Sequence, residues 1–407
     1  MQHPSKHAGT QWQTMAVKAI ELEQSILDQT DASFSLANHV ISAHAEQSNF
    51  VFSPLSIHVL WGLIASGSSG PTRDQILGFL RFKSLEELHA LFSETVSRVL
   101  ADGGPVGGPV LSTANGLWVD ESLNLKPDYR LIVENVYRAV CEQVDFQNKA
   151  VKVTEEVNGW ARKETKGLIK EILPPGKVDP SSTRLILGNA VYFKGAWFEK
   201  FNASLTEDRD FYLLDGSSVR APLMRSMEKQ YVRCFDGFKV LGLPYKRGKD
   251  SRSFSMYIYL PDARDGVAAL RERVCSESGF INSHLPRSLV TLDDFRVPKF
   301  KFDFHFEASG VMKKLGLVLP FEGNGLTEMV DSCYPLEVSS IFHKALIEVN
   351  EEGTEAAAVS MAMFKFGSSG FVERERLEFV ADHPFLFVIR EDTTGLVLFI
   401  GQLLNPF

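Results

Sequence analysis

Apolar residues recur with a helical period over much of the first half of the chain. Between about Asp31 and His44 they fall on one side of a predicted helix. Residues 49–52 predict a short buried strand, and Pro54 begins an apolar helix that runs toward Ala65 and ends at a Gly- and Ser-rich turn. Further helices are predicted over residues 73–100, 127–140 and 155–170. Residues 1–30 are polar, and we expect them to form an N-terminal extension that includes the start of the first helix.

Strand-forming patterns dominate the second half of the chain. Val, Ile, Leu, Phe and Tyr are concentrated in runs bounded by Gly, Pro or Asp. These runs are residues 111–119, 185–193, 231–245, 254–260, 288–298, 342–349 and 385–402. Helices first and strands later, without regular alternation, predict an α+β fold with antiparallel or mixed sheets. No flexible linker divides the chain, so we expect residues 31–407 to form a single domain.

Composition and charge narrow the class of protein. The chain has 407 residues, 44% of them hydrophobic, and its 30 Phe favour burial in β-sheets. A net charge of -8 argues against nucleic acid as a partner and gives no reason to expect a membrane surface. No apolar signal segment follows Met1, and no run reaches the roughly 18 apolar residues of a membrane helix. We therefore expect a soluble, monomeric, cytoplasmic protein, with non-classical release to the extracellular space left open.

Motifs for catalysis or metal binding are not found. The sequence contains no G-x-S-x-G, no H-E-x-x-H and no phosphate-binding G-x-x-x-x-G-K-[ST] motif. Its four Cys form no C-x-x-C pair, and no His stands at zinc-ligand spacing, so we expect reduced thiols and no metal or cofactor. His383, which precedes Pro384, is expected to lead into a strand rather than to catalyse. We expect that the protein is not an enzyme.

The most unusual segment spans residues 348–379, with the sequence EVNEEGTEAAAVSMAMFKFGSSGFVERERLEF. It lies between two strand-forming runs, and a connection this long in a compact domain is either functional or disordered. At period two, small residues share one face: Thr354, Ala356, Ala358, Ser360 and Ala362. This pattern suits a strand that could slide into an existing sheet, although Ala is a poor strand former. On this segment alone, an Ala-rich helix or a plain linker is an equal alternative.

Several stretches resemble the serpin family of protease inhibitors, in its plant form. EVNEEGTEAAAVSMAM resembles the hinge of the serpin reactive-centre loop, and FVADHPFLFVIRE resembles the strand that follows it. NFVFSPLSI, VNGWARKETKGLI, LGNAVYFKGAWFEKF, VPKFKF and IGQLLNP match further family segments in the same order. The resemblance covers the chain from about Phe34 onward. It implies three β-sheets, about nine helices and an exposed reactive-centre loop at about residues 353–377.

The resemblance also implies a mechanism. In this family a protease attacks the loop as a substrate, and the cut loop then inserts as a central strand of the large sheet, carrying the acylated protease with it. The partner implied is a serine or papain-like cysteine endopeptidase. The alternative is a serpin that binds or stores without inhibiting, and a hydrolase is a distant third.

Hinge residues and the reactive bond are assigned from the resemblance. The hinge comprises Gly353, Thr354, Glu355, Ala356, Ala357 and Ala358. None is Pro, and none on the small face is charged or bulky, so we expect the loop to be able to insert. Family spacing puts the cleaved bond between Gly367 and Ser368, with Lys365–Phe366 as the alternative.

Two further groups come from the same resemblance. Ser53, Ser56, Asn189 and His343 match a buried polar cluster, called the shutter, beneath the main sheet. Their alternative interpretation is four separately satisfied polar side chains. Trp197 matches the upper end of the opening sheet, called the breach, although a plain core aromatic is an equal alternative.

Overall fold

Helices account for most of the first third of the fold. The computed structural model describes residues 6–94, 98–323, 325–331, 335–354 and 377–407. Within them lie nine α-helices, as expected: α1 (Lys6–His44), α2 (Pro54–Ser66), α3 (Gly70–Phe79), α4 (Leu85–Glu94), α5 (Pro127–Asn135), α6 (Phe146–Glu164), α7 (Val267–Ser276), α8 (Phe280–Ser283) and α9 (Ser309–Lys314). Helix α1 begins at Lys6 and so includes most of the predicted N-terminal extension, because residues 6–30 are rich in the helix formers Ala, Gln, Glu and Leu.

Three large sheets hold the strands. The seven-stranded sheet has the order β1 (Phe50–Phe52), β19 (Val397–Leu403), β18 (Phe385–Glu391), β10 (Phe254–Pro261), β9 (Phe238–Pro244), β8 (Gln230–Phe235), β11 (Leu289–Val290). The six-stranded sheet has the order β13 (Phe300–Glu307), β15 (Ser340–Asn350), β16 (Gly353–Thr354), β5 (Leu185–Ala196), β2 (Val110–Asp120), β4 (Val140–Val144). The four-stranded sheet has the order β17 (Glu378–Val380), β12 (Asp294–Pro298), β7 (Ser218–Arg225), β6 (Glu207–Tyr212). A small pair joins β14 (Val330–Asp331) to β3 (Asn124–Leu125).

Helix α2 lies in the centre of the molecule. Every residue from Pro54 to Ser66 is buried, and the helix contacts both β5 of the six-stranded sheet and β19 of the seven-stranded sheet. Odd-numbered residues of β5 and β15, such as Val191 and Ala345, join this main core. Even-numbered residues such as Ala190 face the opposite side, where they pack in the same cluster as residues of α6. The six-stranded sheet is therefore covered on both faces.

Several predicted boundaries differ from the structure. The predicted helix over residues 127–140 ends at Asn135, and strand β4 begins at Val140. The run 231–245 is a hairpin of β8 and β9, because Gly237 adopts a positive φ of 81° that suits a tight turn. Strands β6 and β7 are absent from the prediction, since their outward-facing residues are mostly charged or polar and hide the alternation.

Candidate functional site

Strand β16 occupies a position between β15 and β5 at one end of the six-stranded sheet. Gly353 pairs with Asn350 of β15 and Ala196 of β5, while Thr354 pairs with Val349 and Gly195. Both pairings are antiparallel. Below this point β15 and β5 pair directly and in parallel, over residues 340–346 and 186–192. The chain has thus already placed two residues of the predicted loop between the two central strands.

Gly353 fits this position because it has no side chain. Its φ of 155° is one that L side chains rarely adopt. A Cβ added there would overlap the carbonyl oxygen of Gly195 and come within 2.7 Å of Ala196 Cα. The first residue of the predicted hinge is therefore already part of the ladder of the six-stranded sheet.

Thr354 is held at the end of the sheet by Tyr245, which is itself packed against a second aromatic residue. Its hydroxyl lies 2.6 Å from the phenol oxygen of Tyr245, and only 1% of Thr354 is exposed. Tyr245 stacks on Trp197 with a centroid distance of 4.6 Å. Burial raises the pKa of the Tyr245 phenol, so it stays neutral and can donate this bond. The indole of Trp197 in turn donates to the carbonyl oxygen of Asn350 at 2.9 Å.

The turn between β15 and β16 is fixed by backbone bonds and two ion pairs. Trp197 N donates to Glu352 O, and Phe201 N donates to Glu351 O, both at 2.9 Å. The carboxylate of Glu351 lies 2.9 Å from Lys299, and that of Glu352 lies 2.5 Å from Lys200. Burial opposes ionisation of Glu351, but hydrogen bonds, first from Lys299, outweigh it and lower the pKa of this carboxyl.

The four predicted shutter residues lie together, where β15 and β5 pair directly. Asn189 and His343 are register partners, with Asn189 Oδ1 2.9 Å from His343 Nδ1. Ser53 caps α2, accepting a bond from Ser56 N at 3.4 Å. The backbone N–H of Ser53 donates to His343 Nε2 at 3.2 Å. Ser56 therefore takes part through its backbone.

The direction of this hydrogen-bond chain follows from its first donor. A backbone N–H can only donate, so His343 Nε2 accepts and the proton resides on Nδ1. His343 Nδ1 then donates to Asn189 Oδ1, and Asn189 Nδ2 donates to the Oδ1 of a fifth residue, Asn115, at 2.8 Å. Complete burial lowers the pKa of His343 to about 3, which keeps the imidazole neutral.

The far end of the loop joins a different sheet. Strand β17 pairs in parallel with β12, and Leu377 N donates to Asp293 Oδ2 at 2.9 Å.

Part of the predicted hinge and both predicted reactive bonds lie outside the described residues. These are Glu355, Ala356, Ala357 and Ala358 of the hinge, and the bonds Gly367–Ser368 and Lys365–Phe366. The His383 ring contacts Asp382 Oδ1 at 2.8 Å and Pro261 O at 2.7 Å, just before β18.

Three contributors escape prediction from the sequence. Tyr245, Asn115 and Lys299, the partner of Glu351, lie far from the loop in sequence, and no local spacing connects them to it. In the part of the chain that the structure describes, no three His, Cys, Asp or Glu side chains are grouped as metal ligands. None of the helices formed by the described residues is long and apolar enough to cross a bilayer.

Comparisons with known proteins all identify the same family. The serpin (serine protease inhibitor) family model matches residues 28–406. The chain is 54% identical over 391 residues to Serpin-ZX of Arabidopsis thaliana, covering 95% of this chain and 100% of that protein. It is 51% identical to Serpin-ZXA of Oryza sativa subsp. japonica, covering 95% and 99%.

A solved structure agrees over nearly the whole chain. Arabidopsis AtSerpin1 in its native stressed conformation matches with a TM-score of 0.88 at 53% identity, covering 95% of this chain and 98% of that chain. Residues 28–406, which the family model matches, include all three large sheets and α2. The chain therefore belongs to the serpin family, and the relatives named here are plant serpins.

Proposed function

We propose that this protein inhibits an endopeptidase as a suicide substrate, by inserting its cleaved loop between β15 and β5. The observation that carries this proposal is strand β16, which lies between these strands and runs antiparallel to both. Insertion would lengthen β16 residue by residue at the expense of the direct β15–β5 pairing. Gly353 to Ala358 act as the hinge, and Trp197 marks the breach at which the sheet opens.

Extending the register of β16 supports a specific fit. Thr354 is opposite Gly195 and Val349, so continued antiparallel pairing would bring residue 356 to Phe193 and residue 360 to Asn189. On the other side the same extension brings residue 360 to His343. Thr354 faces the main core, and Ala356, Ala358, Ser360 and Ala362 would follow it there.

Ser360 would then arrive where the shutter bond is broken. Insertion separates His343 Nδ1 from Asn189 Oδ1, which leaves a buried donor and a buried acceptor. A hydroxyl both donates and accepts, so Ser360 could bond to both groups. Ser360 is the one polar residue after Thr354 on the small face. The register brings it to the His343–Asn189 pair, the one polar pair along this face of the two strands.

The energy balance favours insertion once the loop is cut. Seven parallel register pairs between β15 and β5 are lost. The new strand would form antiparallel ladders on both sides, and each added bond contributes about 0.5–1.5 kcal/mol. A dozen new bonds would contribute roughly 6–18 kcal/mol, and the net gain is this figure less the contribution of the lost parallel bonds. Before cleavage, the loop is anchored at β16 and β17 and cannot insert fully.

The target class follows from the bond we propose to be cut. Gly367 preceding Ser368 suits a small-pocket serine protease, and Phe366 suits the aromatic-accepting subsite of a papain-like cysteine protease. Cleavage between Lys365 and Phe366 is the alternative. One inhibitor monomer would bind one protease molecule.

Incubation with an elastase-like and a papain-like protease tests the proposal. We expect a band that survives boiling in detergent and has the summed mass of both proteins, with the loop cut at Gly367–Ser368 by mass spectrometry. The matched control is each protease with its nucleophile replaced by Ala, which should give no such band. Cleavage of the loop with full recovery of active protease would contradict inhibition and favour a binding or storage role.

A further inference from the structure

A cavity of about 250 Å³ lies beneath the exposed edge of β2. Strand β4 pairs with β2 only from Gly116 onward, so the preceding residues of β2 form the sheet edge. Asn115 and Thr113 line the cavity on the sheet side, and Asp102, Arg138 and Lys166 line it on the other. Its volume is below the ~300–1,000 Å³ typical of drug-sized ligands, so it suits a compact molecule.

Asn115 presents an unused donor here. It is 4% exposed, and its Oδ1 accepts from Asn189 Nδ2 at 2.8 Å. The direction of the shutter chain, set by the Ser53 N–H, leaves Asn115 Nδ2 as the last donor. No hydrogen bond joins this nitrogen to another described residue, and Asn115 borders the cavity, so the nitrogen is open to a molecule bound there. A ligand in the cavity that offers an acceptor oxygen would satisfy this donor.

Two cationic residues, Arg138 and Lys166, line the same cavity as Asn115. The Arg138 guanidinium has no ion pair or hydrogen bond with the described part of the chain, and Lys166 Nζ lies 3.8 Å from Asp102 Oδ2. Together, Arg138, Lys166 and Asp102 give the cavity a net charge of +1. Both cationic residues adopt a positive φ, 48° at Arg138 and 53° at Lys166. Arg81 is the third non-glycine residue of this kind in the described ranges, and such strained positions cluster at functional sites.

We propose that this cavity binds a small multivalent oxyanion, a polycarboxylate or a phosphomonoester. One ligand oxygen accepts the bond from Asn115 Nδ2, and Arg138 and Lys166 bind its negative charge. On binding, Lys166 exchanges its ion pair with Asp102 for an ion pair with the ligand. The charge of this lysine therefore stays paired.

A bound anion acts on the shutter through the same chain. An acceptor on Asn115 Nδ2 polarises Asn115 and makes its Oδ1 a stronger acceptor for Asn189, which in turn strengthens the bond from His343. The ligand thus stabilises the closed pairing of β5 and β15. Slower protease trapping would follow, and this last consequence alone rests on the function proposed above.

Calorimetry on the full chain tests the site. Citrate, glucose 6-phosphate and inorganic phosphate are titrated at constant ionic strength. The three probes distinguish carboxylate from phosphate ligands. We expect saturable 1:1 binding of at least one of them. The double variant Arg138→Asn/Lys166→Asn should weaken it by at least about tenfold, since it loses two charge-assisted contacts. Asn tolerates a positive φ, so both substitutions keep the backbone.

The matched control is Arg81→Asn, at the third strained position and outside the cavity. It should change binding by less than about twofold, as expected for a distant surface charge. No saturable binding of any probe, or equal binding by the double variant, would overturn the site.

Hydrogen exchange tests the coupling without any protease. A bound probe should slow amide exchange in β5 and β15 of the original chain and leave it unchanged in the double variant. Binding without slower exchange would overturn the coupling and leave the site intact. Failure to trap any protease would count against the proposed function only, because neither readout uses inhibition.

Discussion

The hydroxyl of Thr354 and the phenol of Tyr245 lie 2.6 Å apart at the end of the six-stranded sheet. Thr354 belongs to the loop, whereas Tyr245 belongs to the segment that follows β9 in the seven-stranded sheet and stacks on Trp197. The bond therefore joins the start of the loop to the fixed body of the fold. It holds the first inward side chain of the loop in the sheet before any cleavage.

Loss of that bond should weaken the hinge. Tyr245→Phe keeps the ring stacked on Trp197 but leaves the buried hydroxyl of Thr354 without its partner. We expect the free energy of unfolding of the intact protein to fall by about 1–3 kcal/mol in urea titrations. Tyr259→Phe is the control, because the buried Tyr259 hydroxyl has no partner among the described residues. An equal loss in both variants would contradict the role of the Thr354 bond.

Thr354→Arg should convert the inhibitor into a substrate. Thr354 is only 1% exposed, so an arginine there would lose the hydration of its guanidinium without gaining an ion pair. The cost of burying such a charge is several kcal/mol. Insertion competes with hydrolysis of the acyl-enzyme, and about 1.4 kcal/mol in the barrier changes this competition tenfold. Gel densitometry should show cleaved inhibitor and little complex. Glu355→Arg, on the opposite face of the predicted strand, should retain most of the complex. Equal loss in the two variants would show that the face assignment is wrong.

Ser360 should matter only after insertion. Ser360→Ala would leave His343 and Asn189 unpaired in the inserted state, so we expect the cleaved form to lose about 1–3 kcal/mol while the intact form changes little. Ser360→Thr keeps the hydroxyl and should restore the stability of the cleaved form. Calorimetric melts of both forms provide the measurement. Identical melts of cleaved Ser360→Ala and cleaved original protein would exclude the register extended from β16.

Acid should destabilise the intact protein through its buried histidines. Burial lowers the pKa of His343 from 6.5 to about 3 and that of His58 to about 4. Between pH 6.5 and these values the unfolded chain binds protons that the folded chain does not, so stability falls as the pH falls. Each group contributes a slope approaching ~1.4 kcal/mol per pH unit. His343→Gln should flatten the profile, whereas substitution of the exposed His39 should not; an unchanged slope in His343→Gln would contradict this account.

The sequence predicts the core elements of this fold well. Helix α2 and strands β1, β5 and β10 follow from apolar runs bounded by turn residues, because burial along their whole length leaves little freedom in residue type. Strands β6 and β7 escape prediction, since charged outward-facing residues interrupt their pattern.

The site is predictable only in part, and for a related reason. The small-residue face beginning at Thr354 is a local pattern and can be read along the chain. The Tyr245 and Asn115 contacts depend on pairing between distant strands, which local periodicity does not specify. Recognition of Ser53, Ser56, Asn189 and His343 required family resemblance, because four scattered polar residues carry no common spacing.

The melting temperature of the loop-cleaved protein tests the central claim most directly. A non-target protease cuts the intact chain once within residues 355–376, and the purified product is compared with the uncut protein by calorimetry. If the loop extends β16 between β15 and β5, the added ladder bonds should raise the melting temperature by more than about 10 °C. Cleaved Thr354→Arg, which should not insert, serves as the control and should show little change. An unchanged melting temperature after a clean cut of the original chain would contradict insertion.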